Sequence, residues 1–106
     1  MIEISGELIG RVATSRAGRD KGRAFLIVGI ADGQHVLLAD GGLRKLSKPK
    51  KKKGRHIALE NAAAPGIREK LREGRPVFDG EIRSCLMQLG YNREQQQEPA
   101  NAPEQG

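Results

Sequence analysis

The sequence predicts a mainly β protein, in which a small antiparallel barrel is followed by a short helical appendage at the C-terminal side. Residues 1–60 contain short apolar runs separated by glycine-containing turns, and these runs follow one another too closely for a β-sandwich. After Glu60 the apolar residues recur at helical spacing. The chain has 106 residues, of which 37% are hydrophobic and 3% aromatic. One small domain is expected, without a large ligand cavity.

The predicted strands follow one another along the first part of the chain. Residues 7–14 (ELIGRVAT) mix apolar, β-branched and polar side chains, which favours a strand. Residues 24–31 (AFLIVGIA) are almost entirely apolar, as in a strand that is buried on both faces or lies at the centre of a barrel. Residues 32–34 form a tight turn, after which residues 35–39 (HVLLA) return as the antiparallel partner of a hairpin.

Shorter segments complete the predicted sheet. Residues 43–46 (LRKL) are predicted to be a short strand after a second turn at residues 40–42. The lysine-rich segment that follows is interrupted by Pro49 and Gly54, so we predict a flexible basic loop there. Residues 56–59 (HIAL) then return to the sheet and close it.

Two short helices are predicted after the sheet. Residues 67–73 (IREKLRE) follow a Pro-Gly pair, have apolar residues four positions apart and end before Gly74. Residues 80–89 carry apolar side chains on one helical face, with Asp79 as the N-cap and Gly90 as the stop.

These elements suggest three regions. Residues 1–60 are the predicted barrel and residues 61–92 the helical appendage. Residues 93–106 are rich in Gln, Pro and Glu and contain no apolar residue larger than Ala, which predicts a disordered tail.

The positive charge is concentrated in the predicted barrel. The chain has 19 Lys and Arg against 13 Asp and Glu, and residues 1–60 hold 13 of the basic and 6 of the acidic residues. In residues 44–55 (RKLSKPKKKKGR), eight of twelve side chains are basic and none is acidic. Such a block favours a polyanionic partner, most often nucleic acid. A solvated solubility patch and an anionic membrane surface remain alternatives, although the run lacks the interleaved apolar residues of a membrane-binding helix.

A second basic segment lies between the first two predicted strands. In residues 15–23 (SRAGRDKGR), glycines such as Gly18 permit a positive φ, and the turn displays Arg19 and Lys21. A purely structural reading also stands: Asp20 pairs with Arg19 or Lys21 in a stable turn, and Gly18 serves the backbone geometry alone.

The sequence gives little support for a metal site, a disulfide or a catalytic site. Cys85 is the lone cysteine and lies far from His35 and His56, so no metal-ligand spacing and no disulfide is expected. Neither histidine has a nucleophile at a useful spacing, and residues 18–22 (GRDKG) lack the GKS or GKT ending of a P-loop. We therefore predict no enzymatic activity, no cofactor and no metal. The absence of a long apolar run and the acidic residue in MIEIS predict a soluble cytoplasmic protein.

The segment from Gly10 to Leu46 resembles a known protein family. The stretch GRVATSRAGRDKGRAFLIVGIADGQHVLLADGGLRKL resembles a KOW motif, as found in ribosomal proteins and NusG-type transcription factors. Extended through KPKKKKGRHIAL, the pattern is similar to bacterial proteins related to the eukaryotic-type large-subunit ribosomal proteins fourteen-e, six-e and twenty-seven-e. The resemblance covers residues 6–60. It implies an SH3-like (KOW) barrel that binds ribosomal RNA.

The resemblance also implies where RNA would be bound, namely by the loop between the first two strands and by a second basic surface after residue 43. Arginines can make forked bonds to phosphate or stack on bases, whereas the lysines act as point charges. The candidate RNA-binding residues are Arg16, Gly18, Arg19, Lys21, Arg23, Arg44, Lys45, Lys48, Lys50, Lys51, Lys52, Lys53 and Arg55. Because aromatic residues are scarce, we expect recognition of RNA shape and not base-by-base readout.

The expected function is that of an RNA-binding protein, with structured RNA, most naturally ribosomal RNA of the large subunit, as its partner and with no membrane or small-molecule substrate. A protein-interaction module of the translation or transcription machinery is the alternative, since small barrels also bind peptides. A DNA-associated transcription factor shares the barrel but would normally carry a second domain.

Overall fold

A computed structural model describes residues 3–92 of the chain, so the predicted tail at residues 93–106 lies outside the described residues. The described chain contains a first 3₁₀ turn, five strands with a second 3₁₀ turn before the last of them, and two helices. In chain order these are the 3₁₀ turn Gly6–Leu8, β1 Arg11–Ser15, β2 Ala24–Ile30, β3 His35–Ala39, β4 Lys50–Lys53, the 3₁₀ turn Gly54–His56, β5 Ile57–Ala63, α1 Pro65–Glu73 and α2 Asp79–Gln88.

The strands form one antiparallel sheet in the order β4-β3-β2-β1-β5. The predicted hairpin of β2 and β3 is confirmed, and β5 returns to the sheet as predicted, where it pairs with β1. Within residues 3–92, however, β4 and β5 are the two edges of the sheet. The hydrogen-bonded sheet is therefore open, and the prediction of an antiparallel barrel is correct only as far as the antiparallel five-stranded sheet.

Both faces of the sheet are covered, which explains the continuous apolar run in β2. Phe25 and Ile27 point into one apolar cluster, together with buried residues of β3 and β5. Ala24 and Leu26 point into the other cluster, which the two helices cover. The helical residues buried in this second cluster are Ile67, Ile82 and Leu86. The helices thus share a core with the sheet.

The β3–β4 loop, residues 40–49, contains the segment 43–46 that we predicted to be a strand, and this prediction is wrong. One carboxylate oxygen of Asp40 accepts the N–H groups of Gly42 and Arg44 at 2.9 and 2.8 Å, and the Asp40 N–H donates to the carbonyl of Arg44 at 2.9 Å. These local bonds occupy the backbone groups that a ladder would need, so the segment closes on itself.

The lysine run was predicted to be a flexible loop, and this prediction is also wrong: Lys50–Lys53 form β4 and pair with β3. The open edge of β3 supplies the backbone partners. Lysines at a sheet edge are compatible with a strand because their stems lie along the sheet, and an exposed charge such as that of Lys51 discourages pairing with another chain.

The ends of the other elements differ from the predictions by a few residues. The first strand starts at Arg11 and not at residue 7, because the chain first makes a 3₁₀ turn and then passes through Gly10, whose φ is +91°. The boundary predicted after residue 60 falls inside β5.

Both predicted helices are present. α1 begins at Pro65, two residues before the predicted start, and ends as predicted before Gly74, a left-handed residue with φ +74°. In α2, Phe78 and not Asp79 occupies the N-cap position. No helix within residues 3–92 is long and apolar enough to cross a membrane.

Candidate nucleic-acid interface

Asp20 joins the two basic segments that the sequence predicted separately. The Nζ of Lys52, on β4, donates to Oδ1 of Asp20 at 2.7 Å and to the carbonyl oxygen of Ala17 at 2.9 Å. The hydroxyl of Ser15 donates to the same carboxylate oxygen at 2.7 Å, and the Nζ of Lys50 lies 4.0 Å from Oδ2. The β1–β2 loop, residues 16–23, and strand β4 therefore meet although they are distant in the sheet order. The sheet must curve to bring them together.

The register of β4 explains which lysines reach Asp20. Lys50 and Lys52 lie opposite Leu38 and Val36, which belong to the buried cluster on one face of the sheet. Residues directly opposite each other on neighbouring strands point to the same face. The stems of these lysines therefore follow an apolar surface before their ammonium groups meet the β1–β2 loop.

The lysine run is consequently divided between two faces of the sheet. Lys51 alternates to the other face, where its Nζ lies 4.0 Å from the carboxylate of Asp32. Asp32 caps the β2–β3 turn by accepting the N–H groups of Gln34 and His35. These bonds, together with the one from the His35 ring, lower the pKa of Asp32 to about 2.

The electrostatics of Asp20 show a balance of opposed effects. Partial burial raises the pKa of its carboxyl group. The hydrogen bonds from Lys52 and Ser15, with the charges of Lys52 and Lys50, outweigh this and hold the pKa below its ordinary value. Asp20 is therefore a stable anion that fixes the cations around it.

One pocket brings together cations from three elements. It has a volume of about 310 Å³ and is lined by Arg19, Asp20, Phe25, Leu43, Arg44 and Lys50. We call this the basic pocket. Its three cations come from the β1–β2 loop, the β3–β4 loop and β4, and the sequence had singled out all three. The structure thus assembles part of the predicted site into one concave surface.

The β3–β4 loop is held firmly beside this pocket by helix α2. The N–H of Leu46 donates to the Asp79 carboxylate at 2.8 Å, and the guanidinium of Arg83 donates to the carbonyl of Gly41 at 2.7 Å. Gly41 has a φ of +80°, and a Cβ there would lie 2.2 Å from the carbonyl oxygen of Asp79. The close approach of loop and helix therefore requires glycine at this position.

Two of the predicted site residues are buried and act within the fold. The guanidinium of Arg23 bonds the carboxylate of Asp40, and their side chains are only 11% and 0% exposed. Lys52 is 8% exposed and is held by Asp20 and Ala17. A buried cation of this kind is not presented to a large ligand such as RNA.

Of the other predicted residues, Arg16 and Gly18 belong to the β1–β2 loop, which also carries Arg19 of the basic pocket, whereas Lys51 lies on the other face of the sheet. Gly18 has a φ of +87° and its carbonyl accepts the N–H of Lys21 at 3.2 Å, so it shapes the turn. The N–H of Arg16 donates to the carbonyl of His56 at 2.8 Å, which ties the β1–β2 loop to the second 3₁₀ turn. The exposed candidate cations, apart from Arg19, are Arg16, Lys21, Lys45, Lys48, Lys51 and Arg55, and Lys53 is half-buried.

Three residues of the site were not among the predicted ones. The sequence indicates Asp20 only as a partner of Arg19 or Lys21 within its own turn. Leu43 was assigned to a strand, and Phe25 to the core. A leucine between Gly42 and Arg44, inside a polar turn, is the sequence signal that could have drawn attention to the loop.

Comparisons with known proteins point to a bacterial relative. No model of a known protein family matches the chain. The Bacillus subtilis protein YbzG, described as a "putative ribosome-binding protein", is 33% identical over 66 residues, which cover 62% of this chain and 89% of YbzG. This chain belongs to the YbzG family. The match spans most of the length of YbzG.

Proposed function

We propose that this protein binds the ribosome by docking on structured ribosomal RNA of the large subunit. The observation that carries the proposal is the basic pocket, where Arg19, Arg44 and Lys50 converge from three separate elements. Convergent cations on a rigid surface suit a folded RNA, because phosphate contacts supply most of the affinity and fix the orientation of the protein.

The description of YbzG supports the same proposal, since a ribosome-binding relative is named for a partner made largely of RNA. The excess of basic residues in residues 1–60 supports it as well. We propose that binding involves no catalytic step and no cofactor, and that it takes place in the cytoplasm.

We also propose that the curved sheet serves as the SH3-like barrel that the KOW resemblance implies. Two features support this. The strands follow one another across the sheet until β5 returns to β1, and Lys52 of the edge strand reaches the β1–β2 loop across the concave face. In this arrangement the basic loops gather at one end of the sheet.

Sedimentation tests the proposal. Lysate is fractionated on sucrose gradients at low and high salt, and RNA cross-linked to the protein is sequenced. We expect the protein to migrate with the large subunit at low salt, to leave it at high salt, and to cross-link to a fixed region of ribosomal RNA. A position at the top of the gradient at low salt, without enriched RNA, would contradict the proposal and favour a protein-interaction module.

A charge-matched pair of variants tests whether ribosome binding depends on the basic pocket. The site variant replaces Arg19, Arg44 and Lys50 with Ala. The control variant replaces Lys70, Arg72 and Arg75 with Ala, which removes the same charge from α1 and the residue after its C-cap. We expect only the site variant to leave the large subunit. Equal loss by both variants would show that net charge, and not the basic pocket, determines binding.

A further inference from the structure

We propose that the basic pocket receives a single unpaired nucleotide of the bound RNA, with its base against Leu43 and its phosphates on the surrounding cations. This inference rests on the proposed function and specifies what the pocket recognises. It differs from the expectation of purely shape-based recognition, because it assigns one apolar contact to one base.

Leu43 is an exposed apolar residue on a loop that is fixed in position. Its side chain is 72% exposed although the loop that carries it is held in place on both sides. The Asp40 carboxylate holds the N–H groups of Gly42 and Arg44, the neighbours of Leu43, and Asp79 holds the N–H of Leu46. The leucine is thus presented to solvent by a rigid loop.

A single exposed leucine is ordinary by itself. Here it stands over a pocket that also contains Phe25, which is 0% exposed. Leu43 is therefore the exposed apolar side chain of this pocket, and Arg19, Arg44 and Lys50 lie around it. That combination matches a nucleotide, which has an apolar base face and a charged phosphate.

The charges of the pocket favour an anionic ligand. Within residues 3–92, Asp20 is the one acidic group of the lining, and its carboxylate is paired with Lys52 at 2.7 Å and lies 4.0 Å from the Nζ of Lys50. Arg19, Arg44 and Lys50 therefore leave the pocket with an excess of positive charge. The two guanidinium groups can bind phosphate through forked hydrogen bonds or stack on a base plane.

The volume of the pocket limits the size of its ligand. A volume of about 310 Å³ lies at the lower end of the range for small-ligand sites, which is roughly 300–1,000 Å³. The pocket suits one nucleotide and not a helical stem. In a continuous RNA helix the base faces are stacked, so only a bulged, looped or terminal nucleotide can offer its face to a side chain.

The experiment compares two blunt-ended RNA hairpins that have the same number of phosphates and in which the same non-nucleotide linker replaces the loop. One stem is fully paired, and the other carries a single bulged nucleotide as its one unpaired base. Affinities are measured by fluorescence anisotropy at fixed salt. We expect the wild-type protein to bind the bulged hairpin about 10-fold more tightly, a preference in the range expected for removing one exposed leucine side chain from water.

The decisive variant is Leu43→Ala, which should lose the preference and keep its affinity for the paired hairpin. Leu43→Phe should keep the preference, because the larger apolar face still contacts the base. Leu89→Ala is the matched control, since Leu89 is also an exposed leucine, 41% exposed, but lies at the C-cap of α2. It should bind both hairpins as the wild type does.

The possible results separate this inference from the proposed function. Equal wild-type affinity for the two hairpins, or an unchanged preference in Leu43→Ala, would overturn the nucleotide pocket while leaving RNA binding in place. Failure of the wild type to bind either hairpin or purified large subunits would overturn the proposed function, and this inference with it.

Discussion

The Nζ of Lys52 lies 2.7 Å from Oδ1 of Asp20, and this contact joins the edge strand β4 to the β1–β2 loop. The two side chains are 8% and 14% exposed. The ion pair is therefore largely shielded from water, and it determines where Lys50 and Arg19 stand relative to each other. The basic pocket depends on this contact although Lys52 itself is not offered to a ligand.

Replacing Lys52 with Met should destabilise the fold by about 3 kcal/mol, because the Asp20 charge then loses its principal partner in a shielded site. Lys51→Met is the matched control on the same strand, with a side chain that is 59% exposed. It should change the free energy of unfolding by no more than about 0.5 kcal/mol. Urea unfolding measures both. Equal changes in the free energy of unfolding would show that the Lys52–Asp20 contact contributes no more to stability than an exposed lysine does.

The ion pair of Asp20 should make the stability of the protein depend on pH. Its pKa in the folded protein is below the ordinary value of 3.8, so its contribution is complete above that value and is lost as the pH falls through the folded pKa. Asp20→Asn should be less stable than the wild type at pH 7. The difference should shrink as the pH is lowered from about 5 towards 2. A constant difference in thermal unfolding across this range would contradict the ion pair.

Gly41→Ala should separate the β3–β4 loop from α2, because a Cβ would lie 2.2 Å from the Asp79 carbonyl oxygen and the φ of +80° is unfavourable for alanine. We expect a loss of more than about 2 kcal/mol. Gly42→Ala is the control, as the nearest atoms to its Cβ would lie 3.9 Å away or more. Thermal unfolding of the two variants should differ by several degrees. Similar melting temperatures would argue against a tight loop-helix contact.

Two arginines of the β1–β2 loop should show opposite behaviour. Arg23→Met should cost about 3–5 kcal/mol, because it leaves the fully buried Asp40 without its cation. Arg19→Met should leave stability nearly unchanged, since Arg19 is exposed, and should weaken RNA binding. Denaturant unfolding and anisotropy on the same two proteins test this. A stable Arg23→Met protein with lost RNA binding would reverse our assignment of the two residues.

The elements that the sequence predicted well are those in which local chemistry and burial agree. β2 and β3 are apolar runs joined by a turn in which Asp32 bonds the N–H groups of Gln34 and His35, so pattern and turn indicate the same hairpin. The glycine after α1 likewise combines a helix stop with the left-handed conformation that it adopts.

β4 could not be predicted in this way, because four identical lysines carry no alternation that would indicate a strand. Its conformation is imposed by the open edge of β3, a contact between segments that are distant in sequence. A contact between distant segments also explains why Arg23 is buried while Arg19 is exposed. Both are arginines in the same glycine-containing loop, so the sequence does not distinguish them. Arg23 is buried because it pairs with Asp40, the residue that follows β3.

The candidate site was predicted in its chemistry but not in its arrangement. Arg19, Arg44 and Lys50 were all named from the charge pattern, yet the pocket they share exists only because the sheet curves. Leu43 was missed because its setting was interpreted as a strand, whereas the bonds of Asp40 turn that segment into a loop with the leucine exposed.

RNA binding through the basic pocket is tested most directly by the salt dependence of binding to purified large subunits. It is measured for the wild type and for the two charge-matched triple variants. Each lost phosphate contact should reduce the slope of log affinity against log salt by roughly 1. We predict that replacing Arg19, Arg44 and Lys50 with Ala lowers the slope by about 3 and weakens binding, whereas the Lys70, Arg72 and Arg75 variant keeps the wild-type slope. Equal slopes for all three proteins would contradict RNA binding through the basic pocket.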